Sequence, residues 1–195
     1  MMQERMLGDC ERELTHTRRI DCRAYRRRDG LWEIEAVVED EKAEAVHFRA
    51  RPTVGAGEFM HRMTLAFLID GDYAIRDVRA RTIDAPWPAC GETDDAYRRL
   101  IGLRIGPGFK RQVHDRVGGD RGCTHITDLL TQVGNTYMQA SWPDRVARQS
   151  AVDPDPRRWP DRGAVAFVGQ CHAWRRDGDA VQREYPELAP ESDPG

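Results

Sequence analysis

Between His61 and Ile69 the apolar residues Met63, Leu65, Phe67 and Ile69 fall on every second position, in phase with His61, and Asp70-Gly71 follows at once. Strict alternation places that set on one face of an extended strand, and an Asp-Gly pair closes a tight turn. The segment is committed to a hairpin that returns over Tyr73 to Thr82. A second hairpin is expected from Thr17 to Lys42, where Ile20, Cys22 and Ala24 alternate with charged residues, Arg28-Asp29-Gly30 supplies the turn, and Leu31 to Val38 resumes the extended pattern. His47 to Arg51 reads as a short strand before a loop over Pro52 to Gly57.

The pattern then changes period. Ala96, Tyr97, Leu100 and Ile101 form the apolar stripe of a short helix over Asp94 to Leu103, stopped by Gly106-Pro107-Gly108. Phe109, Val113 and Val117 mark a second helix closed by Gly118-Gly119. From Thr124 the residues Ile126, Leu129, Leu130, Val133, Tyr137 and Ala140 recur at helical spacing. Four prolines make Pro143 to Gly163 a connector, and Val165 to Trp174, Arg176-Asp177-Gly178 and Val181 to Tyr185 suggest a third hairpin. Strands, then clustered helices, then a returning hairpin predict an α+β fold, with an antiparallel sheet built from hairpins and packed against a cluster of helices. The expected organisation is a mobile lead-in over 1–15, a single domain over 16–185, and a disordered tail over 186–195.

Composition narrows the function classes. Basic and acidic residues nearly cancel, leaving a formal charge of -3, so no electrostatic footprint for nucleic acid is expected. The arginine runs Arg18-Arg19 and Arg26-Arg27-Arg28 are interleaved with Asp21, Asp29, Glu33 and Glu35, the pattern of a solvated, ion-paired strand surface. No apolar stretch approaches the ~20 residues of a membrane span, and the acidic amino terminus lacks the layout of a signal peptide. A cytoplasmic protein without membrane contact is expected. Five cysteines, an odd number without the tight spacing of a secreted scaffold, fit reduced thiols. Oligomeric state leaves no mark on the sequence.

Chemistry concentrates at Gly122-Cys123-Thr124-His125, where a glycine-broken loop enters the longest helix. A thiol at a helix amino terminus feels unsatisfied N–H groups and the positive dipole end, which favour thiolate. Cys123 is the candidate nucleophile or ligand, and His125 the candidate base or second ligand, against the alternative of a small residue packed beside a turn. His61, in phase with the apolar stripe, is either a core-edge histidine or a third acid-base group. His16, with Arg18, Arg19 and Arg26, is placed to receive an anionic small-molecule substrate. Cys90, Cys123, His125 and Cys171 make a candidate metal set, with zinc the first expectation and iron or an iron-sulfur cluster the second. On a strand, Cys171 and His172 would face opposite sides, so only one of them is an expected ligand. Trp87 and Trp142 are candidates to line a pocket or to cap a core.

His16-Thr17-Arg18-Arg19-Ile20, Tyr25-Arg26-Arg27 with Asp29-Gly30-Leu31-Trp32, Leu100 to Gly108, Gly122 to His125 and Cys171-His172-Ala173 occur in order. Together they resemble a bacterial family catalogued as a domain of unknown function, over most of residues 16 to 185. A weaker likeness joins the apolar strand, Asp-Gly turn and Ile-x-Asp of Met63 to Val78, followed by a cysteine loop and helices, to iron-sulfur scaffold proteins of the IscU and NifU type. There, Cys90 and Cys123 correspond to the later two cysteine positions. The expected function is a small cytoplasmic enzyme acting on a small anionic metabolite through a Cys/His site, with metal assistance as an option. A metal, cluster or sulfur carrier and a non-catalytic binding module with structural cysteines are the alternatives.

Overall fold

The computed structural model describes residues 10 to 190, so most of the expected lead-in and the end of the expected tail lie outside the described residues. The architecture is α+β, as the change of period predicts. Four antiparallel strands, β1 (His16–Arg26), β2 (Trp32–Lys42), β3 (Phe59–Ile69) and β4 (Ile75–Asp84), form one meander in the order β1-β2-β3-β4. Helices α1 (Phe109–Val117), α2 (Thr124–Val152) and α3 (Asp179–Glu184) follow, together with several short 3-10 segments.

Both expected hairpins are present, and their turns show why. In the first, Gly30 takes a φ of 84°, and the Arg27 N–H donates to the Leu31 carbonyl at 2.9 Å. In the second, Asp70 Oδ1 accepts the Asp72 and Ala74 N–H groups, and the left-handed residue is Tyr73 (φ 67°) rather than the glycine. Alternation then decides which side chains are buried. Ile34, Ala36 and Val38 of β2 and Met63, Leu65, Phe67 and Ile69 of β3 are all buried on one face. The register pairs Val38 with Met63, Ala36 with Leu65 and Ile34 with Phe67, so the core is a set of cross-strand pairs.

Among the described residues the chain divides into two compact units, one ending at residue 133 and the other beginning at residue 134, with the division falling inside α2. The first unit holds the sheet, α1 and the start of α2. The second has its own apolar cluster of Trp159, Ala164, Val165, Val168, Val181 and Tyr185.

Several expectations are corrected. His47 to Arg51 is not a strand: a single bridge joins Val46 to Val54, and Pro52, which has no N–H, stands in the turn between them. The expected helix over Asp94 to Leu103 is a 3-10 segment that begins earlier, at Pro88, and runs to Leu100. Pro143 does not end α2, which continues to Val152. In the turn preceding the proline the Ser141 hydroxyl donates to the Tyr137 carbonyl and the Arg145 guanidinium to the Met138 carbonyl. The third hairpin is absent as well. Its turn does form, with the Gly178 N–H donating to the Arg175 carbonyl, but it leads into α3. The buried residues Val165 and Val168 lie three positions apart and Val181 and Tyr185 four, which is the spacing of helical turns. At the carboxyl end Pro186–Leu188 is a further 3-10 turn.

Candidate functional site

Asp40 continues the buried face of β2 by one more alternation beyond Val38, and it is 1% exposed. The register sets it opposite Arg18 of β1 and His61 of β3, so three polar residues cross the sheet in a line at the end of the apolar stripe. The β2–β3 register shifts between Asp40 and Glu41, and an irregularity of this kind re-aims side chains at a sheet end. The Arg18 guanidinium donates from Nε to Asp40 Oδ1 and from Nη2 to Oδ2, both at 2.7 Å. This two-point clamp is the strongest geometry available to a carboxylate. His61 Nδ1 lies 3.1 Å from Oδ2, and His16 Nε2 lies 3.3 Å from Oδ1.

The helix brings the remaining groups. The Cys123 carbonyl accepts the Thr127 N–H at 2.9 Å, which makes Cys123 the amino-terminal cap of α2. Tyr97, fully buried, fixes that cap: its hydroxyl donates to the Cys123 carbonyl at 2.7 Å, accepts the Cys123 N–H at 2.9 Å and lies 2.9 Å from Thr127 Oγ1. Gly122 is required by crowding, since a Cβ there would sit 2.5 Å from the Val117 carbonyl oxygen. With the cap held, the first turn of α2 lays the His125 ring on that of His61, with centroids 3.8 Å apart and planes inclined by 29°. His125 Nε2 is 3.7 Å from Asp40 Oδ2, and His125 Nδ1 is 3.7 Å from Cys123 Sγ.

Electrostatics fixes the protonation of the group. Burial alone would raise the Asp40 carboxyl, but the Arg18 hydrogen bonds and charge, with the neighbouring His61 and His125, outweigh it and hold the carboxyl at about 2. Burial lowers His61, helped by His125 and Arg18 and opposed by Asp40. Burial likewise lowers His125, with Asp40 and Asp128 opposing and Arg18 assisting. At pH 7 the carboxylate is therefore ionised and both imidazoles are neutral. An ionised carboxylate can only accept, so His61 Nδ1 carries the proton and its Nε2 carries the lone pair. By the same argument a proton on His125 Nε2 faces Asp40, leaving Nδ1 as the acceptor toward Cys123.

Among the described residues, Asp40, His61 and His125 form a group whose possible ligand atoms lie within 4.8 Å of one another. Ionised Asp and neutral His are the ligand-competent forms. Of the four expected ligands, only His125 belongs to this group. Cys123 is its neighbour through His125. Cys90 is half-buried in the 3-10 segment Pro88–Leu100, with its backbone carbonyl accepting from Thr93, and Cys171 is an exposed residue of the second unit. The expected anion-binding arginines have other partners: Arg18 clamps Asp40, Arg19 pairs with Glu41 at 2.9 Å on the opposite face, and the Arg26 guanidinium lies over the Trp32 ring at 5.2 Å. His16 does reach the site, through Asp40.

Asp40 and Tyr97 are the residues that sequence reasoning missed. Asp40 carries a legible signal, an acidic residue in phase with Ile34, Ala36 and Val38 where the buried face should continue. Tyr97 was placed on an apolar stripe, and nothing in its spacing reveals the partner of its hydroxyl. No helix among the described residues is long and apolar enough to cross a membrane. A model of the family described as a protein of unknown function, DUF2889, matches residues 16–139 and so spans every residue of this site. No curated protein and no solved structure matches the chain, so the scaffold likeness gains no structural counterpart.

Proposed function

The chain belongs to the DUF2889 family, whose function is unknown, and we propose that its member here is a thiol-dependent enzyme acting on a small acyl compound. The observation that carries this reading is the relay Cys123 Sγ, His125 Nδ1, His125 Nε2 and Asp40 Oδ2, with 3.7 Å at each of the two contacts between residues, built on a helix cap. Nucleophile, base and orienting carboxylate stand in the order that thiol catalysis uses, at the looser spacing usual without substrate. His125 Nδ1 takes the Sγ proton as Sγ bonds to the acyl carbon, and the imidazolium returns that proton to the leaving group as its bond to carbon breaks. Water then gives a proton to the same nitrogen and attacks the thioester carbon, and the returning proton releases Cys123 as thiol. Asp40 stabilises the imidazolium, Arg18 keeps Asp40 ionised, and His61 stacks on the base. Because Arg18 is occupied by Asp40, an anionic group on the substrate is not part of this proposal.

The experiment is site-resolved alkylation of the native protein with iodoacetamide, followed by acylation with p-nitrophenyl acetate. Half-buried Cys123 is expected to react at least as fast as the exposed Cys10 and Cys171, to carry the acetyl thioester, and to slow by ~10-fold or more in His125→Ala. Cys123 reacting more slowly than both exposed thiols, without acetylation, contradicts the proposal.

The clustering of Asp40, His61 and His125 favours a second reading, a divalent metal held by one carboxylate and two imidazoles, with zinc ahead of iron. Its cost is visible at Asp40: Oδ1 already faces Arg18 Nε and His16 Nε2, and Oδ2 faces Arg18 Nη2 and His61 Nδ1. A dication would have to displace at least one of these donors and sit close to a guanidinium. Calorimetric zinc binding that is lost in His61→Ala and kept in Cys123→Ser supports the metal reading, and no zinc binding removes it.

A further inference from the structure

A recess of about 620 Å³ opens at the carboxyl end of β4, in the first unit, and none of Asp40, His61, Cys123 or His125 lines it. That volume is within the ordinary range for small-molecule sites, ~300–1,000 Å³. Its walls are the last turns of β4 at Thr82 and Ile83, the Pro86-Trp87-Pro88 loop that leaves the strand, and the Arg51-Pro52 turn. Trp87 and Ile83 are 47% and 45% exposed, so two large apolar side chains meet solvent at one recess. The indole is held without a ligand. Trp87 precedes a proline and takes the extended backbone that such a residue requires (φ −132°, ψ 140°), and its ring meets Phe48 edge-on at 6.4 Å. A wall already fixed in orientation loses little freedom on binding.

The polar side of the recess reduces to one group. Thr82 and Arg51 are the two polar side chains of the lining, and Thr82 is engaged: its hydroxyl donates to Asp94 Oδ1 and its N–H to Asp94 Oδ2, both at 2.8 Å. The Arg51 guanidinium lies 4.4 Å from the centre of the Phe48 ring, and it donates from Nε to the Pro52 carbonyl at 3.2 Å and from Nη1 to the Ala85 carbonyl at a long 3.5 Å. These partners are neutral, and among the described residues no carboxylate pairs with Arg51. The acids of the adjoining recess, which shares Arg51 and Ala85, are committed elsewhere. Asp84 Oδ2 lies 2.7 Å from Arg62 Nε, and Glu58 Oε2 accepts the Gly55 N–H at 2.7 Å. Nη2 takes part in none of the Arg51 hydrogen bonds, so both of its N–H groups remain for a ligand.

We propose that this recess binds a small aromatic monocarboxylate, with its ring against Trp87 and its carboxylate on Arg51. A flat apolar body matches an exposed indole framed by prolines, and one anionic group matches one guanidinium. Aliphatic acids would forgo the ring contact. Neutral aromatics would leave Arg51 without a complementary charge. A dianion such as a phosphate monoester would bring a second charge to a guanidinium that already serves two main-chain carbonyls and stands beside Asp84 and Glu58. The recess uses no residue of the thiol site, so the proposal stands independently of that chemistry.

Calorimetric titration of the full chain with naphthalene-2-carboxylate, the neutral naphthalene-2-carboxamide and the aliphatic cyclohexanecarboxylate tests this. The naphthalene acid is expected to bind 1:1, at least ~10-fold more tightly than the amide and more tightly than the cyclohexane acid. Arg51→Gln should bring the naphthalene acid down to the affinity of the amide, and Trp87→Ala should weaken both naphthalene probes by the same factor. Should Arg51→Gln displace the turn and lower amide binding as well, the acid-to-amide ratio, read within that one variant and expected to fall to about 1, still carries the test. Equal affinity of acid and amide for the unaltered protein, no saturable binding of either, or acid binding that keeps its full strength in Trp87→Ala overturns the proposal.

Discussion

Replacing Asp40 by asparagine removes the charge that organises the site while keeping its shape, so its effect is set by electrostatics rather than by packing. A carboxyl held at about 2, against an ordinary value near 3.8, stabilises the fold by about 2–3 kcal/mol at pH 7. The sign follows from the direction of the shift. A depressed carboxyl contributes fully above its unfolded value, near pH 4, and the contribution is lost as pH falls through about 2. At pH 3 roughly half of it remains. The sheet belongs wholly to the first unit, so its infrared amide I band during thermal unfolding reports on that unit. With roughly 4 °C of Tm per kcal/mol for a unit of this size, Asp40→Asn is expected to melt about 10 °C below the parent at pH 7 and about 5 °C below it at pH 3. A deficit that is the same at both pH values, or smaller than ~3 °C at pH 7, would refute the argument that Arg18 holds Asp40 ionised at a net gain.

Three further substitutions separate the roles around the helix cap. Gly122→Ala brings a Cβ to 2.5 Å from the Val117 carbonyl and 3.1 Å from the Tyr97 hydroxyl, so the cap must move and the alkylation rate of Cys123 should change several-fold even where the fold survives. Tyr97→Phe takes away the hydroxyl that serves both the N–H and the carbonyl of Cys123, and a loss of about 1–2 kcal/mol in thermal or denaturant unfolding is expected. Burial pushes the Tyr97 hydroxyl up to about 12, so the reaction of Cys123 in the parent protein should show no limb near pH 10. Arg19→Ala, which breaks an exposed pair on the opposite face, should change stability by no more than ~0.5 kcal/mol and leave the Cys123 rate unaltered.

What was legible in the sequence was whatever local period encodes. The alternation from His61 to Ile69 fixed the strand and placed His61 on the buried face, and the glycine before Cys123 located the cap of α2. Those two segments contribute both imidazoles of the stacked pair and the thiol. What escaped was set by pairing across the sheet. Arg18 reads as a substrate-binding arginine until the register places it opposite Asp40, and a one-residue slip of β1 would put it on the opposite face. The cysteine-centred metal set arose by the same route, since linear spacing cannot show that a carboxylate and two imidazoles converge while Cys90 lies in a separate 3-10 segment. In the second unit, prolines and a predicted turn suggested a connector and a hairpin. Instead α2 continues through Pro143 to Val152, and the turn leads into α3 rather than a returning strand.

The pH dependence of Cys123 alkylation, measured peptide by peptide in the parent protein and in His125→Ala with N-acetylcysteine as reference, tests the central claim most directly. Burial lowers His125 below its ordinary 6.5, so a neutral imidazole is present to accept the thiol proton at pH values where a free cysteine, with a pKa near 8.5, is almost wholly protonated. The account predicts that Cys123 keeps its reactivity down to below pH 6.5 and that His125→Ala returns it to the profile of the reference thiol. A parent profile that already follows the reference, unchanged by His125→Ala, would contradict the assignment of Cys123 and His125 as nucleophile and base.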